Sequence, residues 1–278
     1  MKRLSLGLVI FFLLAGTAIA ALDGLEGHEK YIYPIVRVST DMGAGSGTVI
    51  YSKQSCCGKY STYVLTNHHV VKTAIVIEEE WDPSLKENRK IERRSVVYVE
   101  IFKYRNISTP VGTMKVEADI VTYNSKEDMA LIKLRYEEGV QYVAKLPAIE
   151  ELEHYYVLDE SIAVGCSLAF PPIPTLGIVT RLNVQVDSLL YNMSSSQIIY
   201  GNSGGAMFIT DGTMIGIPSG APVIGWGVPI THMGVFIPIL RVQEWLNEEH
   251  FDFIFDPSKT EKESLEFREK SIKEKQGE

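Results

Sequence analysis

Three short segments, far apart in a chain of 278 residues, carry residue types suited to nucleophilic chemistry. In Tyr63–Val71 a β-rich run leads through Thr66-Asn67 into two adjacent histidines, His68 and His69. In Asp128–Leu134 one acid stands at the mouth of the apolar run Met129-Ala130-Leu131-Ile132. In Tyr200–Ala206 a serine, Ser203, is set among Gly201, Gly204 and Gly205. A serine hydroxyl is a weak nucleophile and needs a base beside it. Imidazole supplies that base near neutral pH, its ordinary pKa being about 6.5. A carboxylate bonded to the imidazole fixes its tautomer and stabilises the imidazolium that forms. Glycines around the serine open backbone angles closed to other residues, so successive N–H groups can converge on one point. Such donors stabilise an oxyanion by about 2.7–4 kcal/mol each.

Singly, each segment has an ordinary reading: surface histidines, a turn aspartate before a strand, a flexible Gly-Ser loop. Together they supply base, orienter and nucleophile in the order His, Asp, Ser. Gly201-x-Ser203-x-Gly205 also fits the nucleophile elbow of an esterase or lipase, with Asp211, Asp252, Asp256, His232 and His250 downstream. That fold needs helix–strand alternation, which is missing here, and more chain after the serine. A non-catalytic binding protein on an enzyme-like fold is a different class, but such copies usually lose one of the three reactive residues. The cysteines Cys56, Cys57 and Cys166 are odd in number, and two adjacent ones cannot both reach Cys166. They read as unpaired small apolar residues. Their spacing fits no zinc site, and no metal or cofactor motif occurs.

The elements that must position these residues are short strands. β-rich runs recur between Gly, Pro, Asn and Asp clusters: Ile35–Val38, Gly47–Tyr51, Thr62–Leu65, Val96–Phe102, Asp119–Val121 and Ala130–Leu134. After a helix-like acidic patch near Glu150–Glu153 come Ile162–Val164, Gly177–Leu182, Ala206–Ile209, Thr213–Ile217 and Val235–Pro238. Many short strands at close spacing predict an all-β sandwich or barrel. Trp81–Arg94, highly charged between strand-like regions, is expected as a surface loop. Ile239–Glu248 has helical spacing in Leu240, Val242, Trp245 and Leu246. Asp256–Glu278 is expected as a charged tail, helical or disordered. No repeat of solenoid period is present.

Composition sets the outer limits. The chain is 45% apolar and 22% charged, ordinary for a globular protein and unlike collagen or a disordered chain. A net charge of −8 disfavours phosphate-backbone binding, so nucleic acid is not an expected partner. Lys2 and Arg3 precede an apolar run from Leu4 to Ala15, followed by Ala18-Ile19-Ala20. This pattern reads as a secretory signal over 1–20. The alternative is an uncleaved membrane anchor over residues 4–22, which barely reaches the ~20 residues a spanning helix needs. Either way the folded part lies outside the cytoplasm, periplasmic or extracellular. Nothing in the sequence sets an oligomeric state.

The segments Thr66-Asn67-His68-His69-Val70-Val71, Asp128-Met129-Ala130-Leu131-Ile132-Lys133-Leu134 and Gly201-Asn202-Ser203-Gly204-Gly205 resemble the three motif blocks of trypsin-like serine proteases, nearest to the HtrA/Deg branch. Pro34–Val38 and Gly45–Ile50 resemble that branch's first two strands, Ile162–Gly165 the opening strand of its second barrel, and Gly234–Pro238 its pocket-lining strand. The resemblance implies a chymotrypsin-type fold, two packed antiparallel β-barrels with the site in the cleft between them. The first barrel would span 29–140, and the second, with its closing helix, 155–250. It implies His69, directly before Val70-Val71, as general base, and Asp128 as its orienter. Asp119, the rival acid, lacks the strand that follows Asp128. It implies Ser203 as nucleophile, with the Gly201 and Ser203 N–H groups as oxyanion hole. Asn202 stands where digestive relatives carry an activating Asp, so activation by that salt bridge is not expected. Gln197, Ile215, Gly216, Ile217, Gly234 and Val235 would line the primary pocket. They include no acid, which favours an uncharged substrate side chain, since a buried cation wants a partner. The peptide-binding PDZ domain common in that branch is not expected. The implied function is an exported serine endopeptidase that hydrolyses polypeptides through an acyl-enzyme, in protein quality control or processing.

Overall fold

The computed structural model describes residues 24–276 except 56–57, 84–85, 153 and 225–227. A short helix, α1 (Gly24–Gly27), leads into β1 (Ile35–Thr40), β2 (Gly43–Gln54) and β3 (Tyr60–Thr66). A single turn, α2 (His68–Val71), precedes a two-stranded ribbon, β4 (Ile75–Asp82) and β5 (Glu87–Arg94). The chain returns through β6 (Val97–Arg105), β7 (Thr109–Asn124) and β8 (Met129–Leu134). These six strands without the ribbon close an antiparallel barrel in the order β1-β2-β3-β8-β7-β6.

The second half contains β9 (Glu160–Gly165), β10 (Ile173–Val186), β11 (Leu189–Ser194), β12 (Ala206–Ile209) and β13 (Met214–Gly220). A small hairpin, β14 (Val223–Ile224) with β15 (Val228–Pro229), leads to β16 (Gly234–Pro238). A second closed barrel has the order β10-β11-β16-β13-β12-β9. The expected all-β, two-barrel architecture is therefore what the chain adopts.

Period-two alternation explains how the barrels both fill and pack. Val36, Val64 and Ile132 point into the first barrel and are fully buried there. Their neighbours Ile35, Tyr63, Leu65 and Leu131 point the other way, into a second cluster. That cluster also takes Val164, Phe208, Ile217 and Ile237 from the second barrel. The shared core is closed by α3 (Ile239–Glu248), whose Ile239, Val242, Trp245 and Leu246 are buried in it. Each large apolar side chain buried this way stabilises by roughly 1.5–3 kcal/mol. Leu240 instead faces outward, 38% exposed.

Two segments differ from expectation. Within the expected loop Trp81–Arg94, Trp81, Asp82 and Glu87–Arg94 are strand: they belong to the β4–β5 ribbon, paired from Ile75↔Arg94 to Asp82↔Glu87. Both faces of this ribbon are wet, so apolar alternation is absent and the strands are held by the ladder and by pairs such as Arg93 with Glu78 and Glu80. The charged tail forms α4 (Glu261–Gln276), docked rather than merely solvated. Glu261 accepts hydrogen bonds from the Tyr63 hydroxyl at 2.7 Å and from Lys133 at 2.9 Å. Arg268 pairs with Glu249 at 3.0 Å and lies over the Phe251 ring. Among the described residues no helix is long and apolar enough to cross a membrane. The expected signal or anchor lies outside the described residues, as do Cys56 and Cys57.

Candidate active site

The turn α2 is anchored by Val70 and Val71, both buried in the first barrel's core, so His68 and His69 are held at its rim. Asp128 sits at the entry to β8 with φ of 58°, a left-handed conformation that Asp tolerates better than most residues. The Asn67 amide donates to the Asp128 carbonyl at 2.8 Å and ties the two turns together. The Asp128 carboxylate then faces His69. It accepts the His69 backbone N–H at 3.0 Å and lies 2.8 Å from Nδ1. With Nδ1–H donated to a carboxylate, Nε2 is left as a proton acceptor.

The other histidine and the other acid are used elsewhere. His68 stacks on Tyr123 with ring centroids 5.1 Å apart. Asp119 is exposed and paired with Arg135 at 2.7 Å. Of the two histidines and two acids weighed from sequence, the fold brings His69 and Asp128 together.

Ser219, at the end of β13, links the halves. Its hydroxyl donates to Asp128 Oδ2 at 3.1 Å, and its carbonyl accepts the Ser203 hydroxyl at 3.4 Å. The second of these is long for an O–H···O bond and correspondingly weak. Around Ser203 the loop needs its glycines. Gly204 has φ of 84°, and a Cβ there would lie 2.2 Å from the Ser46 carbonyl oxygen. Gly201 has φ of 97°, and its Cβ would lie 2.5 Å from the Cys166 carbonyl oxygen. The Tyr200 carbonyl accepts the Leu168 N–H at 2.8 Å. In a trans peptide the next N–H, that of Gly201, points the opposite way. Among the described residues neither the Gly201 nor the Ser203 N–H donates to a backbone carbonyl. Two donors flanking the serine are thus available to an external oxygen.

Ser46 on β2 fastens this loop to the first barrel. Its N–H donates to the Ser203 carbonyl at 2.8 Å and its hydroxyl to the Gly201 carbonyl at 2.6 Å. The same hydroxyl accepts the Cys166 N–H at 2.7 Å. Asn202 is fully buried and accepts the Ser167 hydroxyl at 2.6 Å. Burial pushes the Cys166 thiol up to about 12, so it stays protonated and is no rival nucleophile.

The model of the trypsin-like peptidase domain matches residues 45–217, more than half of the chain. The chain belongs to the trypsin-like peptidase family. This trypsin-like peptidase is also similar to the magnetosome formation protease MamE of Magnetospirillum gryphiswaldense, 25% identical over 223 residues. That match covers 76% of this chain and 24% of MamE. MamE of Paramagnetospirillum magneticum is 24% identical, over 76% of this chain and 25% of that protein. The chain thus spans about a quarter of the length of these relatives. Among solved structures, an HtrA-type protease, AlgW, with a tripeptide superposes with a TM-score of 0.60 at 17% identity. That superposition covers 83% of this chain and 64% of the other and shows likeness of fold.

In the trypsin-like peptidase the residues expected to line a pocket are dispersed. Gln197 is exposed next to the nucleophile loop. Gly234 packs so closely on Ile198 that a Cβ would lie 2.5 Å from its Cδ1. Val235 pairs with Met193 and Gly220. Ile215 and Ile217 are 2% and 0% exposed within the hydrophobic clusters, and Gly216 lies between them against the Ile237 carbonyl. These three form part of the barrel's packing. The β13 residue that reaches Ser203 is Ser219, further along the same strand. Ser46 and Asn67 lie in segments that resemble the family, but nothing local in the sequence marks the bonds they make, and Ser219 has no motif around it. Ser219 lies two residues beyond the segment singled out from sequence.

Proposed function

We infer that this trypsin-like peptidase is a serine endopeptidase that cleaves polypeptides outside the cytoplasm, in protein processing or quality control. The observation that carries the reading is the continuous chain from Ser203 through Ser219 and Asp128 to His69. In the proposed cycle the Ser203 hydroxyl leaves the Ser219 carbonyl and gives its proton to His69 Nε2 as Oγ attacks the peptide carbonyl. Asp128 keeps Nδ1 protonated and stabilises the imidazolium. The Gly201 and Ser203 N–H groups take the developing oxyanion. The C–N bond breaks, the amine leaves with the proton from His69, and water, deprotonated by His69, releases the acyl group. The absence of an acid among Gln197, Gly234 and Val235, the expected pocket residues outside the barrel packing of Ile215–Ile217, favours an uncharged side chain before the cleaved bond.

The test is labelling of the purified protein with a fluorophosphonate, followed by peptide mapping, with Ser203→Ala in parallel. Label on Ser203, lost in the variant together with ~10⁴–10⁶-fold of the peptidase rate, is expected. A folded wild type that takes no label would refute the reading and leave a binding protein on a peptidase fold.

A further inference from the structure

Behind the nucleophile loop, residues 166–169 form a turn in which two successive non-glycine residues are left-handed: Leu168 with φ of 52° and Ala169 with φ of 63°. Such conformations persist only where the surroundings over-determine them. The turn is closed by its own backbone, Ala169 N–H donating to the Cys166 carbonyl at 3.0 Å and Phe170 N–H to the Ser167 carbonyl at 2.9 Å, and each of its residues is also tied to a neighbouring segment. Cys166 N–H is held by the Ser46 hydroxyl, the Ser167 hydroxyl by Asn202, and Leu168 N–H by the Tyr200 carbonyl. The Ala169 carbonyl, like the Cys166 N–H, is held from the first barrel: Arg37 on β1 donates to it at 2.6 Å. Arg37 stands directly opposite Glu100 in the β1–β6 ladder and forms an ion pair with it. Its guanidinium also lies 5.9 Å from the centre of the Phe102 ring. The side chains of Arg37 and Glu100 are 24% and 15% exposed, so the pair is held rather than free in solvent.

We propose that Arg37 is a positioning residue for the oxyanion hole. By clamping the Ala169 carbonyl it holds the strained turn whose Leu168 N–H fixes the Tyr200–Gly201 peptide, and so it keeps the Gly201 N–H turned toward the substrate oxygen. The proposal rests on the endopeptidase reading above. Arg37 touches neither substrate nor any of His69, Asp128 and Ser203. Its effect is transmitted through two peptide groups. Releasing the Ala169 carbonyl lets Ala169 relax to negative φ. Leu168 N–H then leaves the Tyr200 carbonyl, and the Gly201 N–H swings away from the oxyanion position.

The experiment uses Arg37→Met, which retains an apolar stem over Phe102, and Arg37→Lys, which keeps the charge without the planar fork. An internally quenched peptide cleaved by the wild type gives kcat and KM. A peptidyl boronate, which forms a tetrahedral adduct on serine, reports the oxyanion hole. Hydrogen exchange at the Leu168 amide reports the turn. For Arg37→Met the expected result is kcat lower by roughly 10- to 100-fold, less than the ~10²–10³ lost with a whole oxyanion donor. KM should change by less than about twofold. Boronate affinity should fall in step with kcat, and Leu168 exchange should quicken while exchange in β3 and β8 stays as it was. Arg37→Lys should recover part of each effect. An unchanged kcat, a loss confined to KM, or unaltered exchange at Leu168 would overturn the proposal. A wild type that cleaves no peptide and takes no fluorophosphonate would instead remove the endopeptidase reading, and the exchange measurement would still decide whether Arg37 holds the turn.

Discussion

At the residue scale the Asp128 carboxylate is one point at which polar groups of the two barrels meet. It accepts from His69 of the first barrel and from Ser219 of the second, while Asn67 holds its backbone. The neighbouring His68 has a different part. Burial lowers its pKa below the ordinary value; His69 and Lys72 push the same way, and Asp128 opposes them. The unfolded chain therefore binds a proton near the ordinary histidine pKa that the folded chain still refuses. Stability rises with pH across that window and is lost as pH falls from about 6.5 toward the lower folded value. Urea unfolding at about pH 7 and about pH 5 should show a smaller acid loss for His68→Phe, which can keep the stack on Tyr123, than for the wild type. Equal losses would show that His68 does not contribute. His69, Asp128 and Ser203 stand in motifs readable from sequence because each lies in a local run with its own chemistry. The contacts of Ser46, Ser219 and Arg37 are not readable in this way, even where the segment around the residue resembles the family, because their partners are 155, 91 and 132 residues away in the chain.

At the element scale, strands were legible where one face is buried and the other differs from it. Ile35–Val38 and Ala130–Leu134 lie within β1 and β8. The β4–β5 ribbon was not legible, since beyond Ile75 at its base neither face packs on a core and its charges imitate a loop. Its base is nevertheless fastened to the first barrel. Arg94 lies over the Tyr123 ring and donates to the Ile120 carbonyl, and the Tyr123 hydroxyl donates to Glu92. The tail helix α4 hid its role for a related reason: it lacks a full apolar stripe, and its attachment combines Leu265 packed on the core with several polar contacts. Tyr63, 1% exposed, puts its hydroxyl on Glu261. Burial is the largest cause holding the Tyr63 pKa well above the usual tyrosine range, and Glu261 adds to it. Glu261→Ala leaves that buried hydroxyl without its acceptor and should cost about 1–3 kcal/mol. A thermal melt reads this as a lower Tm, and an unchanged Tm would mean that α4 is not part of the stability of the barrel.

At the scale of the whole molecule, the cluster containing Tyr63, Leu65 and Leu131 of the first barrel and Phe208, Ile217 and Trp245 of the second half makes one core of two barrels. Neither barrel can leave without exposing the other's apolar face. A single calorimetric unfolding transition is expected, with calorimetric and van't Hoff enthalpies equal. Two separated transitions would show that the barrels are independent units. The amino-acid sequence by itself determined the reacting residue types, the alternation that makes strands, and the glycines that shape the Ser203 loop. All of these are properties of neighbouring residues along the chain. Only the tertiary structure decided which histidine meets which acid, that Ile215 and Ile217 pack inside while Ser219 reaches Ser203, and that Arg37 meets Ala169. Those pairings depend on barrel closure and on strand register between distant segments, which no local pattern of residues contains.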